Sequence, residues 1–350
     1  MTDLKSLSCK ELETLMRERG LPAFRGRQLF KWIWKKGIRS IEEITEFSRE
    51  LRRELAGEYR LYELEQARRL VSTDGTIKWA FSLSDGLVIE TVLIPERDHT
   101  TLCVSTQAGC AMGCAFCLTG KMGFFRNLVP SEIAGQVLSA ARDLPVALRP
   151  RNLVFMGMGE PLANFRNLVT AIEILTDDLG LNFSQRRITV STSGIAPKIM
   201  ELGEKTDVGL AISLHATTNA QRDRLMPVNR SYPMETLLDA CRRFNLPPRR
   251  RITFEYLMLG GINDTMEDAK RLAGLLRGIP AKINIIAFNE GGGLPFREPD
   301  RETVLNFQKV LKERNYTAII RKSKGRDIEA ACGQLFYQQQ NITSRGRESS

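Results

Sequence analysis

The spacing of apolar residues near the amino terminus is that of helices. Between residues 8 and 61, Leu12, Leu15 and Met16 lie on one helical face, and a Gly-Leu-Pro sequence ends this pattern. A second helical run over residues 24–37 mixes aromatic residues with arginines and lysines. We expect its aromatic residues to pack inside a small helical domain.

The spacing changes to alternation from Thr76 onward. The runs Thr76–Leu83 and Leu87–Ile94 alternate apolar and polar residues around Ser84-Asp85-Gly86, which predicts a β-hairpin. Glu90 lies in the middle of the second strand. A carboxylate there faces either solvent at a sheet edge or a functional site, and the alternation alone leaves both open.

From Thr101 onward, strand-like and helix-like segments alternate along the chain. The predicted strands are Leu102–Thr106, Asn152–Met156, Arg187–Ser191, Val208–Leu214, Arg251–Leu257, Lys282–Phe288 and Ala318–Arg321. The predicted helices are Ser131–Ala141, Phe165–Thr176, Ala196–Gly203, Pro233–Phe244, Met266–Leu276 and Arg301–Arg314. This order indicates an α/β fold with parallel strands joined by crossover helices, as a barrel or an open doubly wound sheet.

Small and polar residues follow several of these strands. Both candidate folds bind ligands beyond the carboxyl ends of their strands, so these residues are candidates for a ligand site. They are Gly159 and Glu160 in a Gly-Met-Gly-Glu-Pro sequence, Ser191, Ser213, Leu214, His215 and Asn289. Alone, the glycines fit a tight turn equally well, and His215 fits a buried histidine with satisfied hydrogen bonds.

Three cysteines stand close together just after the first of these strands. Cys110, Cys114 and Cys117 form a CxxxCxxC spacing, which allows three thiolates to reach one soft metal centre. Structural zinc sites and conventional iron–sulfur clusters take four protein ligands, so a cluster here leaves one iron open. With its glycines and Phe116, this loop resembles the radical S-adenosylmethionine (SAM) superfamily. A zinc site completed by a distant residue, or neighbouring buried thiols, are the alternatives.

The composition of the chain gives it a net basic charge, and its seven cysteines suit a reducing compartment. The chain has 350 residues, 51 Lys and Arg against 41 Asp and Glu, and a net charge of +10, which favours a polyanionic partner such as nucleic acid. No apolar run has membrane-spanning length and the start lacks a signal-peptide pattern, so a cytoplasmic protein is expected. The basic residues expected to meet phosphates include Arg25, Arg27, Lys31, Lys35 and Lys36.

Two isolated cysteines complete a more specific resemblance. Cys103 lies seven residues before Cys110, and Cys332 lies near the end of the chain. Residues 103–110 (CVSTQAGC), 155–162 (FMGMGEPL), 252–257 (ITFEYL) and 330–335 (AACGQL) resemble the bacterial dual-specificity RNA methyltransferase family. That family methylates carbon-2 of an adenosine in 23S ribosomal RNA and of another in the tRNA anticodon loop.

The resemblance implies a partial (β/α) barrel of the radical SAM type and a complete reaction. A [4Fe–4S] cluster is held by the three clustered cysteines, and two SAM molecules are used per turnover. One SAM methylates Cys332, and radical chemistry from the second joins that carbon to the adenine. Glu90 removes the carbon-2 proton, and Cys103 releases the RNA by forming a transient disulfide with Cys332. The SAM-contacting residues implied are Gly159, Glu160, Ser191, Ser213, Leu214, His215 and Asn289.

The resemblance also implies domains and partners. Residues 1–70 form an RNA-binding helical domain, 71–100 a β-hairpin extension and 101–337 the catalytic barrel. Residues 338–350 fall outside the resemblance, and their polar composition predicts a disordered tail. A monomer is expected, with an external flavodoxin-like electron donor, rRNA and tRNA substrates and no membrane. Three alternatives remain open: methylation of adenosine carbon-8, an RNA-binding protein with a structural metal site, and a radical SAM enzyme acting on a small molecule.

Overall fold

The computed structural model describes residues 1–291, 293–330 and 333–335. The helices are α1 (Cys9–Glu18), α2 (Phe24–Lys31), α3 (Arg49–Glu58), α4 (Leu118–Lys121), α5 (Pro130–Asp143), α6 (Phe165–Thr176), α7 (Ala196–Lys205), α8 (Asn219–Leu225), α9 (Met234–Arg243), α10 (Met266–Leu275) and α11 (Arg301–Glu313). The strands are β1 (Thr2–Asp3), β2 (Tyr59–Arg60), β3 (Glu65–Val71), β4 (Ile77–Ser82), β5 (Val88–Pro95), β6 (Thr100–Cys103), β7 (Gln107–Gly109), β8 (Phe124–Asn127), β9 (Asn152–Phe155), β10 (Ile188–Thr192), β11 (Gly209–Ser213), β12 (Ile252–Met258), β13 (Ala281–Ala287) and β14 (Thr317–Arg321).

One ten-stranded sheet organises the catalytic part of the chain. Its strand order is β14-β13-β12-β11-β10-β9-β6-β5-β4-β3. The strands from β14 to β6 run parallel to one another, and β5, β4 and β3 continue the sheet in antiparallel fashion. This confirms the strand–helix alternation predicted from Thr101 onward, with each predicted element found within a few residues of its expected bounds.

The sheet curves into a partial barrel whose two edges are β3 and β14. On β9, Leu153 packs in the hydrophobic core, whereas Asn152 and Val154 line an interior cavity. An ion pair of 2.8 Å between Arg321, at the end of β14, and Glu96, just after β5, spans the opening. The lumen of the barrel therefore carries polar side chains, while the other face of the sheet packs against the helices.

The amino-terminal residues form a helical module that packs on the barrel. Ser8 and Glu11 cap α1 reciprocally, and a π-helical turn continues α2. Phe30, Ile33 and Trp34 are buried, which confirms that these residues pack the module. The module is joined to the barrel by polar contacts such as the 2.5 Å ion pair between Arg142 of α5 and Glu63.

The structure differs from the sequence prediction at the module boundary. Strand β3, which falls inside the predicted helical domain 1–70, pairs antiparallel with β4 and belongs to the main sheet. The predicted hairpin at 71–100 is therefore two strands of a three-stranded antiparallel extension of the barrel sheet. The tail predicted for 338–350 lies outside the described residues. Within the described part of the chain, every helix is too short or too polar to cross a membrane.

Candidate active site

The cysteine loop connects two short strands that pair with each other. It leaves β7 at Gly109, passes through α4 and returns as β8. The Cys110 amide donates to the Gly123 carbonyl at 2.8 Å, which closes the base of the loop. Gly109 has a φ of +73°, and a Cβ there would overlap the Gly123 oxygen, so the turn requires glycine.

Cys110, Cys114 and Cys117 line a single cavity of about 170 Å³. Burial raises the pKa of Cys110 to about 12 and also raises that of Cys114, and the nearby Glu160 carboxylate adds to both rises. Among the residues described, no group of three or more His, Cys, Asp or Glu side chains could hold a metal ion. Three cysteines that line one cavity suit a cluster, in which each cysteine binds its own iron.

Four residues of the Gly-Met-Gly-Glu-Pro sequence, Gly157, Gly159, Glu160 and Pro161, line the same cavity. The Met158 amide donates to the Ser105 hydroxyl at 2.8 Å, and a Cβ on Gly157 would lie 2.6 Å from that oxygen. Glu160 is buried, which raises its pKa. Its carboxylate accepts from the amides of Leu162 at 3.0 Å and Ser193 at 2.7 Å. Glu160 thus ties the ends of β9 and β10 together while lining the cavity.

The predicted cofactor residues separate into three groups. Ser191, Ser213 and His215 line the cavity with Gly159 and Glu160. The Leu214 side chain lies in the hydrophobic core, so only its backbone belongs to this strand end. Asn289 lines a second, larger cavity, and its buried Oδ1 has no hydrogen-bond partner within the described residues. An unpaired buried carbonyl oxygen of this kind fits a donor group on a bound ligand.

His215 is held in one neutral form. Its Nδ1 accepts from the Leu257 amide at 3.0 Å, which leaves Nε2 as the donor. Burial and the charge of Arg222 lower its pKa to about 3. Its ring meets the Phe116 ring edge-on with centroids 4.9 Å apart, so the cysteine loop rests directly on the barrel. His215 therefore presents a hydrogen-bond donor at neutral pH.

Arg222 is a structural element of the site that the sequence did not indicate. It lies fully buried on α8, and its guanidinium donates to the carbonyls of Ser193 at 2.5 Å, Ser213 at 3.1 Å and Leu214 at 3.2 Å. It therefore fixes the ends of β10 and β11 beneath the cavity. Its pattern, in an Ala-Gln-Arg-Asp-Arg sequence, is typical of an exposed helix, so sequence carried no signal for it.

Glu255 was also missed, although it lies in a segment that carries the family resemblance. It sits on β12, lines both cavities, and accepts from Asn284 at 2.9 Å. Burial raises its pKa to about 6. A charged residue inside a parallel strand was the available signal, because such strands are usually apolar on both faces.

Glu90 and Cys103 lie on neighbouring strands. Val92 pairs with Cys103 across β5 and β6, so Cys103 and Glu90 project from the same face of the sheet. Both are buried, and the Glu90 carboxylate lies 3.1 Å from the ammonium of Lys78. Cys332, the third predicted catalytic residue, lies outside the described residues.

The second cavity, of about 420 Å³, opens beside these strands and is strongly basic. Its lining includes Glu96, and its cations are Arg186, Arg187, Lys282, Arg321, Lys322 and Lys324. It shares Met156, Glu255 and Ile286 with the cysteine cavity, so the two cavities adjoin. The lumen of the barrel therefore carries a cluster of cations next to the cysteine cavity.

Three of the five basic residues predicted to meet RNA, Arg25, Arg27 and Lys36, contact other residues of the amino-terminal module. Arg27 pairs with Glu13 at 2.7 Å, Arg25 donates to the Glu46 carbonyl at 2.9 Å, and Lys36 lies 3.3 Å from the centroid of the Trp32 ring. Contacts of Arg25, Arg27, Lys31, Lys35 and Lys36 with nucleic acid therefore stay a prediction.

Comparisons with known proteins agree with this geometry. A family model described as the radical SAM superfamily matches residues 104–276, and one described as the ribosomal RNA large subunit methyltransferase N-terminal domain matches residues 2–61. A solved radical SAM methyltransferase from Sphaerobacter thermophilus is 43% identical, with a TM-score of 0.90 over 96% of this chain and 99% of that one.

Curated relatives extend the match to the whole chain. The dual-specificity RNA methyltransferase RlmN of Geobacter sulfurreducens is 52% identical over 96% of this chain and 92% of its own. Its namesake from Anaeromyxobacter sp. is 55% identical over 95% of this chain and 90% of its own. The chain belongs to the RlmN family of dual-specificity RNA methyltransferases, within the radical SAM superfamily.

Proposed function

We propose that this protein methylates carbon-2 of an adenosine in 23S ribosomal RNA and of one in the tRNA anticodon loop. The observation that carries the proposal is the 52% identity, over 96% of the chain, to a relative named a dual-specificity RNA methyltransferase. The basic lining of the second cavity supports an RNA substrate, because its cations suit phosphates next to an adenosine turned into the lumen.

The residues of the cysteine cavity fit the two groups that the radical SAM superfamily uses, a [4Fe–4S] cluster and SAM. Cys110, Cys114 and Cys117 would hold the cluster. Gly159, Glu160, Ser191, Ser213 and His215 would face SAM, with Asn289 and the Leu214 backbone beside them. When bound, these groups supply the methyl group and the radical chemistry, at two SAM molecules per turnover.

The remaining steps belong to side chains of this protein. The Cys332 sulfur carries the methyl carbon and holds it while that carbon becomes bonded to adenine carbon-2. The Glu90 carboxylate accepts the proton that leaves carbon-2. The Cys103 thiolate then forms an S–S bond with Cys332, and the bond between that sulfur and the methyl carbon breaks. The new methyl group takes a proton, and two external electrons restore both thiols.

The same proposal includes the cellular setting. The enzyme acts in the cytoplasm as a monomer, with its electrons supplied by a flavodoxin-like protein. The amino-terminal module, matched by the family model over residues 2–61, helps to hold the RNA against the barrel.

The test removes Cys103, because its absence blocks release and leaves the RNA attached. Anaerobically reconstituted Cys103→Ala protein is incubated with SAM, reductant and an rRNA fragment, and intact mass analysis searches for a covalent complex. We expect RNA bound through Cys332 by a methylene bridge to carbon-2. Cys9→Ala, a cysteine of the amino-terminal module, is the matched control and should release methylated RNA like the unchanged protein.

Two outcomes contradict the proposal. A bridge to carbon-8 would retain the chemistry and replace the product. The second outcome is cleavage of SAM without a covalent complex and without 2-methyladenosine from the unchanged protein. It would show that the cysteine loop supports SAM cleavage but that the protein does not methylate this RNA.

A further inference from the structure

Strand β4 carries a lysine at a position where the sheet is buried on both faces. Lys78 follows Ile77 and precedes Trp79, and all three residues are buried. Lys78 pairs with Val92, which in turn pairs with Cys103, so one row crosses β4, β5 and β6. A buried ammonium is costly unless it is paired and hydrogen-bonded, so its partners reveal why it is retained.

The partners of Lys78 come from two separate parts of the site. Its ammonium lies 3.1 Å from the Glu90 Oε1 atom and donates to the Glu329 carbonyl at 3.1 Å. Glu90 is the proposed base. Glu329 lies three residues before Cys332 in the sequence and has a left-handed backbone, with a φ of 52°. One ammonium therefore joins the base to the segment that leads to the methyl-carrying cysteine.

Before it reaches Lys78, that segment is hydrogen-bonded to the turn between β3 and β4. The Gly325 amide donates to Asp74 at 3.0 Å, and Asp327 accepts from the Ser72 hydroxyl at 2.5 Å and from the Thr73 amide at 3.1 Å. These contacts fix its path along the turn between β3 and β4. Beyond these contacts, the Lys78 ammonium binds the same segment at the Glu329 carbonyl, inside the lumen.

The chain is attached again just beyond Cys332, on the cysteine loop. The Leu118 amide donates to the Gly333 carbonyl at 2.8 Å, and the Thr119 hydroxyl donates to the Leu335 carbonyl at 2.7 Å. The described residues on both sides of position 332 are thus tied to different walls of the barrel. Of these attachments, the contact between Lys78 and the Glu329 carbonyl is the one made by a side chain that also contacts the base.

We propose that Lys78 is a positioning residue that aligns the Glu90 carboxylate with the segment carrying Cys332. This rests on the proposed function, in which Glu90 must take a proton from a carbon held by that cysteine. The ammonium offsets the buried carboxylate charge and, through the Glu329 carbonyl, sets where the segment lies relative to it. In this role Lys78 acts through its contacts with Glu90 and Glu329 and takes no proton itself.

The test follows release of the RNA rather than overall activity. Lys78→Met keeps the length of the side chain and removes its charge. Holoprotein with SAM, reductant and an rRNA fragment is sampled over time for S-methylated Cys332, covalent protein–RNA complex and 2-methyladenosine. We expect S-methylated Cys332 still to form, because that step does not need Glu90. The complex should decay roughly 100-fold more slowly, the cost of a misplaced catalytic group.

A double variant separates positioning from folding. Lys78→Met alone removes the positive charge that lies beside a buried carboxylate, whereas Lys78→Met with Glu90→Gln removes both charges and so protects the fold. If Lys78 acts through Glu90, the double variant and Glu90→Gln release RNA at the same rate. Lys198→Met is the control, because Lys198 pairs with Glu201 on the surface helix α7.

The outcomes distinguish the two proposals. Absence of 2-methyladenosine from the unchanged protein overturns the function, whatever Lys78 does. If the unchanged protein methylates carbon-2 and Lys78→Met releases RNA equally fast, the role of Lys78 is overturned. A double variant slower than Glu90→Gln overturns it as well, because Lys78 would then act independently of the base.

Discussion

Glu255 gives a stability prediction whose size follows from its environment. The carboxyl group is buried between the two cavities, and burial raises its pKa from 4.5 to about 6. A hydrogen bond from Asn284 and the charges of Arg321 and Lys282 oppose this rise, so desolvation is the dominant influence. A difference of about 1.5 pKa units corresponds to about 2 kcal/mol.

The sign follows from comparing the folded and unfolded chains. Because the folded pKa is the higher one, the folded state favours the protonated carboxyl group. The stability associated with this proton is fully present below about pH 4.5 and is lost as the pH rises through about 6. Glu255→Gln keeps an oxygen for Asn284 and removes the titration. From acidic to alkaline pH, the free energy of unfolding of the variant should therefore rise by up to about 2 kcal/mol relative to that of the unchanged protein.

Thermal unfolding of identically reconstituted proteins at about pH 5 and about pH 8 measures this difference. For a chain of this size, about 2 kcal/mol corresponds to a relative shift of a few degrees in Tm. Glu302→Gln on α11, where the glutamate is exposed, serves as the control for the effect of a Glu-to-Gln substitution as such. A Tm difference between Glu255→Gln and the unchanged protein that stays constant from acid to alkali would refute the reasoning.

Three further substitutions test how the site is supported. Arg222→Met leaves three carbonyls, two of them in buried hydrogen bonds, without this donor and should cost on the order of 3 kcal/mol, measured by chemical unfolding; a midpoint equal to that of the unchanged protein would contradict the role of Arg222. Gly159→Ala forces a side chain onto a backbone with a φ of +100° beside the cavity and should weaken SAM binding roughly tenfold in calorimetry; undiminished affinity argues against SAM at this wall. Gly26→Ala brings a methyl group into the backbone of α1 and should expose the amino-terminal module to protease at a cost of about 1–3 kcal/mol, unlike Gly57→Ala on α3, where the added methyl group meets open space.

The regular part of the fold could be predicted because its signals are local. Parallel strands buried on both faces are continuous apolar runs, and amphipathic helices separate them, so the elements from Thr101 onward were predicted with nearly correct bounds. Strand β3 was missed because it is an edge strand whose Glu-Gln-Ala-Arg-Arg sequence is exposed and has no apolar alternation. It becomes a strand because its backbone pairs with β4. The sequence of β3 itself does not contain that information.

The cysteine loop and the strand ends could be predicted for a different reason. Spacing within a loop restricts chemistry directly, so the positions of Cys110, Cys114 and Cys117 along the chain were enough to predict that they share one site. Leu214 shows the limit of the same reasoning, since its side chain lies in the core and only its backbone lies at the strand end. A motif places a residue at a site, but the twist of the strand decides whether its side chain or its backbone faces the ligand.

Charged residues inside strands could have been used more fully to predict the site from the sequence. Lys78, Glu90 and Glu255 each occupy the interior of a strand of the main sheet. One face of that sheet packs against helices, so a charged side chain within it must face the lumen or lose its hydration without compensation. Among the three, only Glu90 was considered for a functional site from its place in a strand. The same reasoning applied to Lys78 and Glu255 places all three charges in one barrel interior, where each charge must find its compensation in the others or in polar groups of the lumen.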